Sequence, residues 1–387
     1  MNFTTKKIHE IDFDFCLIED LASLKNFVQL ISDDDIIALD TEFTRRSTYY
    51  PILSTVQIAL KKPNNKKILA LIDVIKCPAI GDIISVINHP KIIKIFHASS
   101  QDLQIFYRIS GLEAQNIFDT QIMANFCQEM TNIGYSNLVK KVVNVEICKK
   151  MQSSDWQRRP LSSAQIDYAL IDVIFLHEIY DFFAKKLFQN QSFEWFCEEM
   201  NEYIKKTLSD NSKNLIYSFN LARLNHKHVL QLNKLVIIRE KFAKIYDLPR
   251  EHLISNKDLE FIAFNFPNID LVNYKLPHDF SNEALKSLAS ELNEHQINIP
   301  QKLSTNDKNL IAKIKSLVAK TAKKYGLNEQ FLLNNNQIKN IVTANNIEQV
   351  KFLISHWRYT LLGNDINQIL IKNYENNRRK LENESRI

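Results

Sequence analysis

Glycine is scarce, with five residues in 387, where about 7% is usual. Gly81, Gly111, Gly134, Gly326 and Gly363 are all far apart in the chain. This excludes a Walker A loop, a G-x-G-x-x-G fingerprint and a kinase glycine-rich loop, which all set several glycines close together around phosphates. Nucleotide-driven motors and standard dinucleotide oxidoreductases are excluded with them. Cysteine is equally thin. Cys16, Cys77, Cys127, Cys148 and Cys197 are odd in number and contain no C-x-x-C, so neither a disulfide framework nor a zinc knuckle is indicated. No apolar run reaches the 18 residues of a membrane span. The opening MNFTTKKIHEIDFDFC lacks the continuous apolar stretch of a signal peptide. A cytoplasmic protein without a membrane partner is expected.

What remains is an ordinary globular composition, 45% hydrophobic and 24% charged, in a length that predicts two or three domains. The net charge of +5 is unevenly spread. Residues 1–205 carry 22 Lys+Arg against 26 Asp+Glu, whereas residues 206–387 carry 27 against 18. An acidic working part followed by a basic part suits a protein that holds nucleic acid.

The first 75 residues read as strands, with apolar runs at 36–43, 53–60 and 67–74 and a turn at KKPNNK. CPAIGDIISVINHP reads as a helix and KIIKIF (91–96) as a buried strand. SSQDLQIFYRI has helical spacing, with Ser99 or Ser100 as N-cap. Residues 118–205 read as helical, broken near NVEICKKMQSSDWQRRP. Strands early and helices late predict a mixed sheet with helices packed on it. Beyond 210 two helical units are expected, at about 214–290 and 300–387. Tyr246-Asp247-Leu248-Pro249 and Tyr325-Gly326-Leu327-Asn328 are their matching punctuation, a weak internal repeat of about 80 residues.

Carboxylates carry the chemistry. Asp40 and Glu42 stand two apart at the end of an apolar run, and on a strand such residues share a face. Side by side they repel unless a cation neutralises them, and hard oxygen ligands suit Mg²⁺ or Mn²⁺. Asp102 follows the strand at 91–96 by a short turn, where the helix dipole also favours an acid. Tyr168 and Asp172, four apart, share a helix face with Gln165. An aspartate on a mostly apolar face calls for a partner, whereas Asp167 points elsewhere, toward solvent.

DTEFTRRSTYYP, HASSQDLQIF and YALIDV, in this order, resemble the three motifs of the DEDD exonuclease superfamily, and the family most similar is ribonuclease D. The resemblance covers essentially the whole chain, since that family also carries two C-terminal HRDC modules. Tyr168 four residues before Asp172 matches the tyrosine branch; the histidine branch would place histidine at 167, where Asp167 stands. Gln101 occupies a position where relatives often have an acid.

The resemblance implies an α/β, ribonuclease H-like exonuclease domain over residues 1–208 with a mixed sheet flanked by helices. Two small all-α HRDC-like domains would follow, at 209–292 and 293–387. It implies that Asp40, Glu42, Asp102 and Asp172 bind two divalent ions, Mg²⁺ or Mn²⁺, and that Tyr168 orients the attacking water. The implied activity is 3′–5′ hydrolysis of RNA from a free 3′ end, releasing nucleoside 5′-monophosphates. Precursors of transfer RNA and other small structured RNAs are the implied substrates, and a monomer is expected. Phe43 could stack on the terminal base, and Arg45, Arg46, Arg158 and Arg159 could contact phosphates, as could Lys140, Lys141, Lys149 and Lys150. A DNA exonuclease using the same metals, or a binding protein with an inactive nuclease fold, are the alternatives. His97 reads as structural, Asp119 as a helix N-cap and Gln57 as a sheet hydrogen-bonder.

Overall fold

The computed structural model describes residues 2–9, 11–62, 65–127, 132–147, 151–209, 212–269, 271–274, 276–290, 303–344, 347–354 and 356–384. Cys148, Lys149 and Lys150 lie outside the described residues. Cys16, Cys77, Cys127 and Cys197 are free thiols. No described helix is long and apolar enough to cross a membrane.

The chain forms two compact units, one of residues 1–42, 54–207 and 303–387, the other of residues 43–53 and 208–302. The first unit is built on a seven-stranded sheet. Its strands are β1 (Thr4–Ile8), β2 (Ile11–Ile18), β3 (Ile36–Thr44), β4 (Ile52–Lys61), β5 (Lys67–Asp73), β6 (Ile93–Phe96) and β7 (Ile117–Asp119), in the order β1-β2-β5-β4-β3-β6-β7. The sheet is mixed, as expected. β1–β2 and β4–β5 pair antiparallel, while β2–β5, β3–β6 and β6–β7 pair parallel. Ile37, Ala38 and Leu39 of β3 and Val56, Ile58, Ala59 and Leu60 of β4 are fully buried. Continuous apolar runs of this kind mark strands covered on both faces.

The covering helices are α1 (Leu21–Val28), α2 (Gly81–Ile87), α3 (Ser100–Ser110), α4 (Thr120–Asn125), α5 (Tyr135–Val143), α6 (Ser163–Ile174), α7 (Leu176–Gln189) and α8 (Phe193–Leu208). Helix α1 corrects the expectation of strands throughout the first 75 residues. Asp20 caps it by accepting from the Ser23 N–H, and Leu24 and Phe27, three apart, supply its buried face. The short strand β7 likewise interrupts the region expected to be helical.

The second unit contains α9 (His226–Ile245), α10 (Arg250–Leu253), α11 (Asn256–Asn265) and α12 (His278–Ala289) around a core that includes Val229, Leu232, Val236, Ile262 and Phe280. Helices α13 (Thr305–Tyr325), α14 (Glu329–Leu332), α15 (Asn335–Val342), α16 (Val350–Leu353) and α17 (His356–Glu384) repeat that succession. The repeat reaches the helix ends. Asp247 and Gly326 both take the left-handed conformation, and Leu248 and Leu327 both donate back to an alanine carbonyl, Ala243 and Ala322. Glycine suits this position best because it carries no Cβ.

The second copy belongs to the same compact unit as the sheet. Trp357 stacks with Trp195 and packs against Phe126, its Nε1 donates to Glu199 and its N–H to Glu198. Arg358 holds Glu199 with both terminal nitrogens and donates to the Phe331 and Leu332 carbonyls. The first copy instead encloses the segment that leaves β3. Tyr49 donates to Glu240 at 2.5 Å, Arg250 holds the same carboxylate, and the Tyr50 N–H donates to Asp247 at 2.9 Å.

Candidate active site

Three segments far apart in sequence meet at one end of the sheet. Strand β3 pairs with β6 over Ile36–Ala38, so Asp40 and Glu42 stand beyond that pairing. They project on one face, because side chains two apart on a strand point the same way. Helix α3 then follows β6 after a tight turn. Asp119, at the end of β7, accepts from the Ala98 and Ser99 N–H groups and from the Ser99 hydroxyl. Asp119 is also the N-cap of α4 through Gln121, as expected. Ser99 is the N-cap residue of α3 but makes no side-chain cap, since its hydroxyl is committed to Asp119. This fixes the first turn of α3 and with it Asp102, which is buried and accepts a hydrogen bond from the Thr41 hydroxyl.

Helix α6 brings the third segment. A Ser162–Gln165 capping box starts it, and Gln165 reaches back to Ser154 and to the Asp155 carbonyl. Arg159 secures the preceding loop by a two-point bond to Asp73, at 2.5 and 2.8 Å, and by donating to the Ser54 carbonyl. The Trp156 indole, 2% exposed, lies 6.1 Å from the Tyr168 ring. Thus Tyr168 and Asp172 are carried on a helix whose entry is tied to the sheet.

Oxygens of Asp40, Glu42 and Asp172 lie within 4.8 Å of one another, a set that could hold a metal ion. Asp102 is adjacent rather than part of that trio, and its charge is felt by both Asp40 and Glu42. Burial is the main cause of high carboxyl pKa values here. It holds Asp40 well above the usual range, helped by Asp102, Asp172 and Glu42. Glu42 is pushed up to about 9 by burial, then by Asp172 and Asp102. Asp102 rises to about 7 through burial, opposed by the Thr41 hydrogen bond. Tyr168 is pushed upward by burial and by the negative charge of Asp172, Glu42 and Asp40, and its hydroxyl bonds Asp172. It therefore remains a phenol at neutral pH.

The remaining expected residues divide. Arg159 is not available to phosphate, because its guanidinium is spent on Asp73 and backbone carbonyls. Arg45 is exposed, donates to the Tyr49 carbonyl and lies over the Tyr49 ring. Arg46 and Arg158 are exposed, and Phe43 is half-buried. Asp167 pairs with Lys6 at 2.7 Å rather than standing free. His97 bonds the Thr120 hydroxyl and packs on Tyr135, a structural role as expected, and Gln57 donates to Thr55 within β4. Sequence reasoning missed Thr41, whose hydroxyl holds Asp102, and Tyr135, half-buried near Asp40 and Asp172 and donating its hydroxyl to the Ile171 carbonyl.

A cluster of crowded carboxylates makes metal-free stability depend on pH. These groups bind protons more tightly folded than unfolded, where acids titrate near 4. Their favourable contribution is complete below about 4 and is lost as pH rises through the folded values of about 7 for Asp102 and about 9 for Glu42. A cation held by these carboxylates would restore it. Melting of EDTA-treated protein should therefore fall between pH 5 and 9, and Mg²⁺ or Mn²⁺ should raise the Tm more at pH 8.5 than at pH 5.5. An equal rise at both would rule out these carboxylates as ligands.

Comparison with known proteins agrees with this geometry. A family model described as 3′–5′ exonuclease matches residues 15–188. The chain is 26% identical over 369 residues to ribonuclease D of Bartonella henselae, covering 92% of this chain and 89% of that one. It is 28% identical over 341 residues to ribonuclease D of Desulfotalea psychrophila, covering 84% and 90%. In three dimensions it resembles Escherichia coli RNase D, described as an exoribonuclease involved in structured RNA processing. The TM-score is 0.76 at 23% identity, over 92% of this chain and 99% of that one.

Proposed function

We propose that this chain, which resembles the ribonuclease D family of 3′–5′ exonucleases, hydrolyses RNA one nucleotide at a time from a free 3′ end, releasing nucleoside 5′-monophosphates. Precursors of transfer RNA and other small structured RNAs, in the cytoplasm, are the proposed substrates, met by a monomer with two HRDC-like helical modules. The observation that carries this reading is the meeting of Asp40, Glu42 and Asp172 within 4.8 Å, beside Asp102 and Tyr168. Crowded, half-buried carboxylates are costly unless they face a cation, and their hard oxygens suit Mg²⁺ or Mn²⁺.

Asp40, Glu42, Asp102 and Asp172 would hold two such ions. When bound, the ions supply the positive charge that activates water and stabilises the leaving 3′-oxygen. The protein's own part is positional. Thr41 and the α3 turn hold Asp102 in place, and the α6 entry holds Asp172 and Tyr168. Tyr168, carried on the same face of α6 as Asp172, would orient the attacking water by hydrogen bond. Phe43, Arg45, Arg46 and Arg158 are proposed RNA contacts.

The test is a 5′-labelled RNA with a single-stranded 3′ tail, incubated with Mg²⁺, Mn²⁺ or EDTA beside a DNA copy. A ladder shortening from the 3′ end, lost in EDTA and stronger on RNA, is expected. Internal cuts, or preference for the DNA, would overturn the assignment. Tyr168→Phe should lower kcat about 10²-fold with little change in KM, the scale of a misplaced reactant. A variant as fast as the parent would remove Tyr168 from the mechanism.

A further inference from the structure

Helix α13 carries six lysines, at 308, 313, 315, 320, 323 and 324, and all six are exposed. Among the described residues none of them forms an ion pair with a carboxylate. At 3.6 residues per turn they occupy the half of the helix opposite the buried Leu310, Ile314 and Val318. The helix's only acid, Asp307, is taken up in the Ser304 capping box. The result is a cationic ridge about 24 Å long at 1.5 Å per residue.

The matching helix of the first repeat is built differently. On α9, Lys234 donates to the Ser287 and Ser290 carbonyls, Lys241 pairs with Glu283, Lys244 with Glu240 and Arg239 with Glu251. Overall charge follows the same division. Residues 208–302 carry 12 Lys+Arg against 11 Asp+Glu, and residues 303–387 carry 14 against 7. The two copies share a backbone plan, so the fold does not require the difference. Lys320 stands three and four residues from Lys323 and Lys324, spacings at which like charges destabilise a helix by a few tenths of a kcal/mol. A polyanion laid on the ridge would relieve that repulsion and release counterions. The Trp357, Arg358 and Glu199 contacts make the second copy part of the compact unit that bears the carboxylate cluster.

We infer that the lysine face of α13 is the surface along which the RNA phosphate backbone lies upstream of the trimmed 3′ end, and that the first helical module does not supply this grip. The inference rests on the exoribonuclease reading and assigns its long-range RNA contact to one helix.

The test compares full-length protein with a Lys313→Glu, Lys320→Glu, Lys323→Glu variant and with the milder Lys→Gln set at the same positions. Two substrates are used, a dinucleotide, which has almost no upstream backbone, and a structured RNA with a single-stranded tail. On the long RNA, kcat/KM should fall about tenfold or more near 0.1 M salt. Its logarithmic salt dependence should become shallower by about 2, at about 0.7 per lost contact. Dinucleotide hydrolysis should be unchanged. A control variant of the first module, Lys227→Glu, Lys257→Glu, Lys286→Glu, should keep the parent slope. An unchanged slope in the α13 variants, or an equal loss in the control, overturns the inference and leaves the ridge to another partner, such as an acidic protein. Parent protein that cleaves neither substrate would instead sink the exoribonuclease reading, and the ridge would then stand or fall on the salt slope of RNA binding alone.

Discussion

Asp40→Asn and Asp172→Asn are each expected to lower nucleotide release by about a thousandfold or more, at the upper end of what removal of one electrostatic contact costs an enzyme. The two residues come from different elements, β3 and α6, yet their oxygens belong to one set that could hold a metal ion. Losing either charge would weaken the same candidate metal site. Stability should move the other way. Each substitution removes a carboxylate from a half-buried like-charge cluster, so the EDTA-treated variants should melt higher than the parent at pH 8.5. The rise in Tm on adding Mg²⁺ should shrink in the same variants. Single-turnover release from labelled RNA and paired melts with and without metal measure both effects. A variant that retains activity, or that melts lower without metal, would detach that residue from the cluster.

Much of this site could be read in the sequence because its information is local. Asp40 and Glu42 share a strand face, and Tyr168 and Asp172 share a helix face, by spacing alone. The repeat was readable for the same reason, since Tyr246–Pro249 and Tyr325–Asn328 mark equivalent helix ends. What escaped depends on contacts between distant segments. Thr41 lies between Asp40 and Glu42, on the opposite strand face, and nothing near it announces that Asp102, 61 residues on, accepts its hydroxyl. Asp119 read correctly as an N-cap, but its second task of holding the α3 turn needs β7 beside β6. Helix α1 was hidden because eight residues carry only two buried positions, too few to show a helical period. Likewise, the charge excess of residues 206–387 was legible in sum, but its concentration on α13 emerged only once the pairing of the α9 cations could be compared with it.

The misreading of Arg159 leads to the largest expected effect on the fold. An arginine in a polar QRRP stretch resembles a phosphate contact, but its partner Asp73 lies 86 residues earlier. The Asp73 side chain is 1% exposed and that of Arg159 14%. Asp73 also accepts the N–H groups of Ile75 and Lys76, so its carboxylate closes the end of β5 as well. Removing one partner of a buried pair strands the other charge, at a cost of about 3–5 kcal/mol. Arg159→Ala should therefore lower stability by that amount in denaturant titrations. Because the pair ties the α6 entry loop to the sheet, activity should fall as well, through displacement of Tyr168 and Asp172. Arg159→Lys keeps the charge but loses the two-point fork, and should recover part of the stability. Arg158→Ala, one residue earlier and exposed, should leave stability nearly unchanged and act only on RNA affinity. If Arg159→Ala also keeps its stability and lowers affinity alone, then the arginine faces RNA, and the loop before α6 is held by something other than this ion pair.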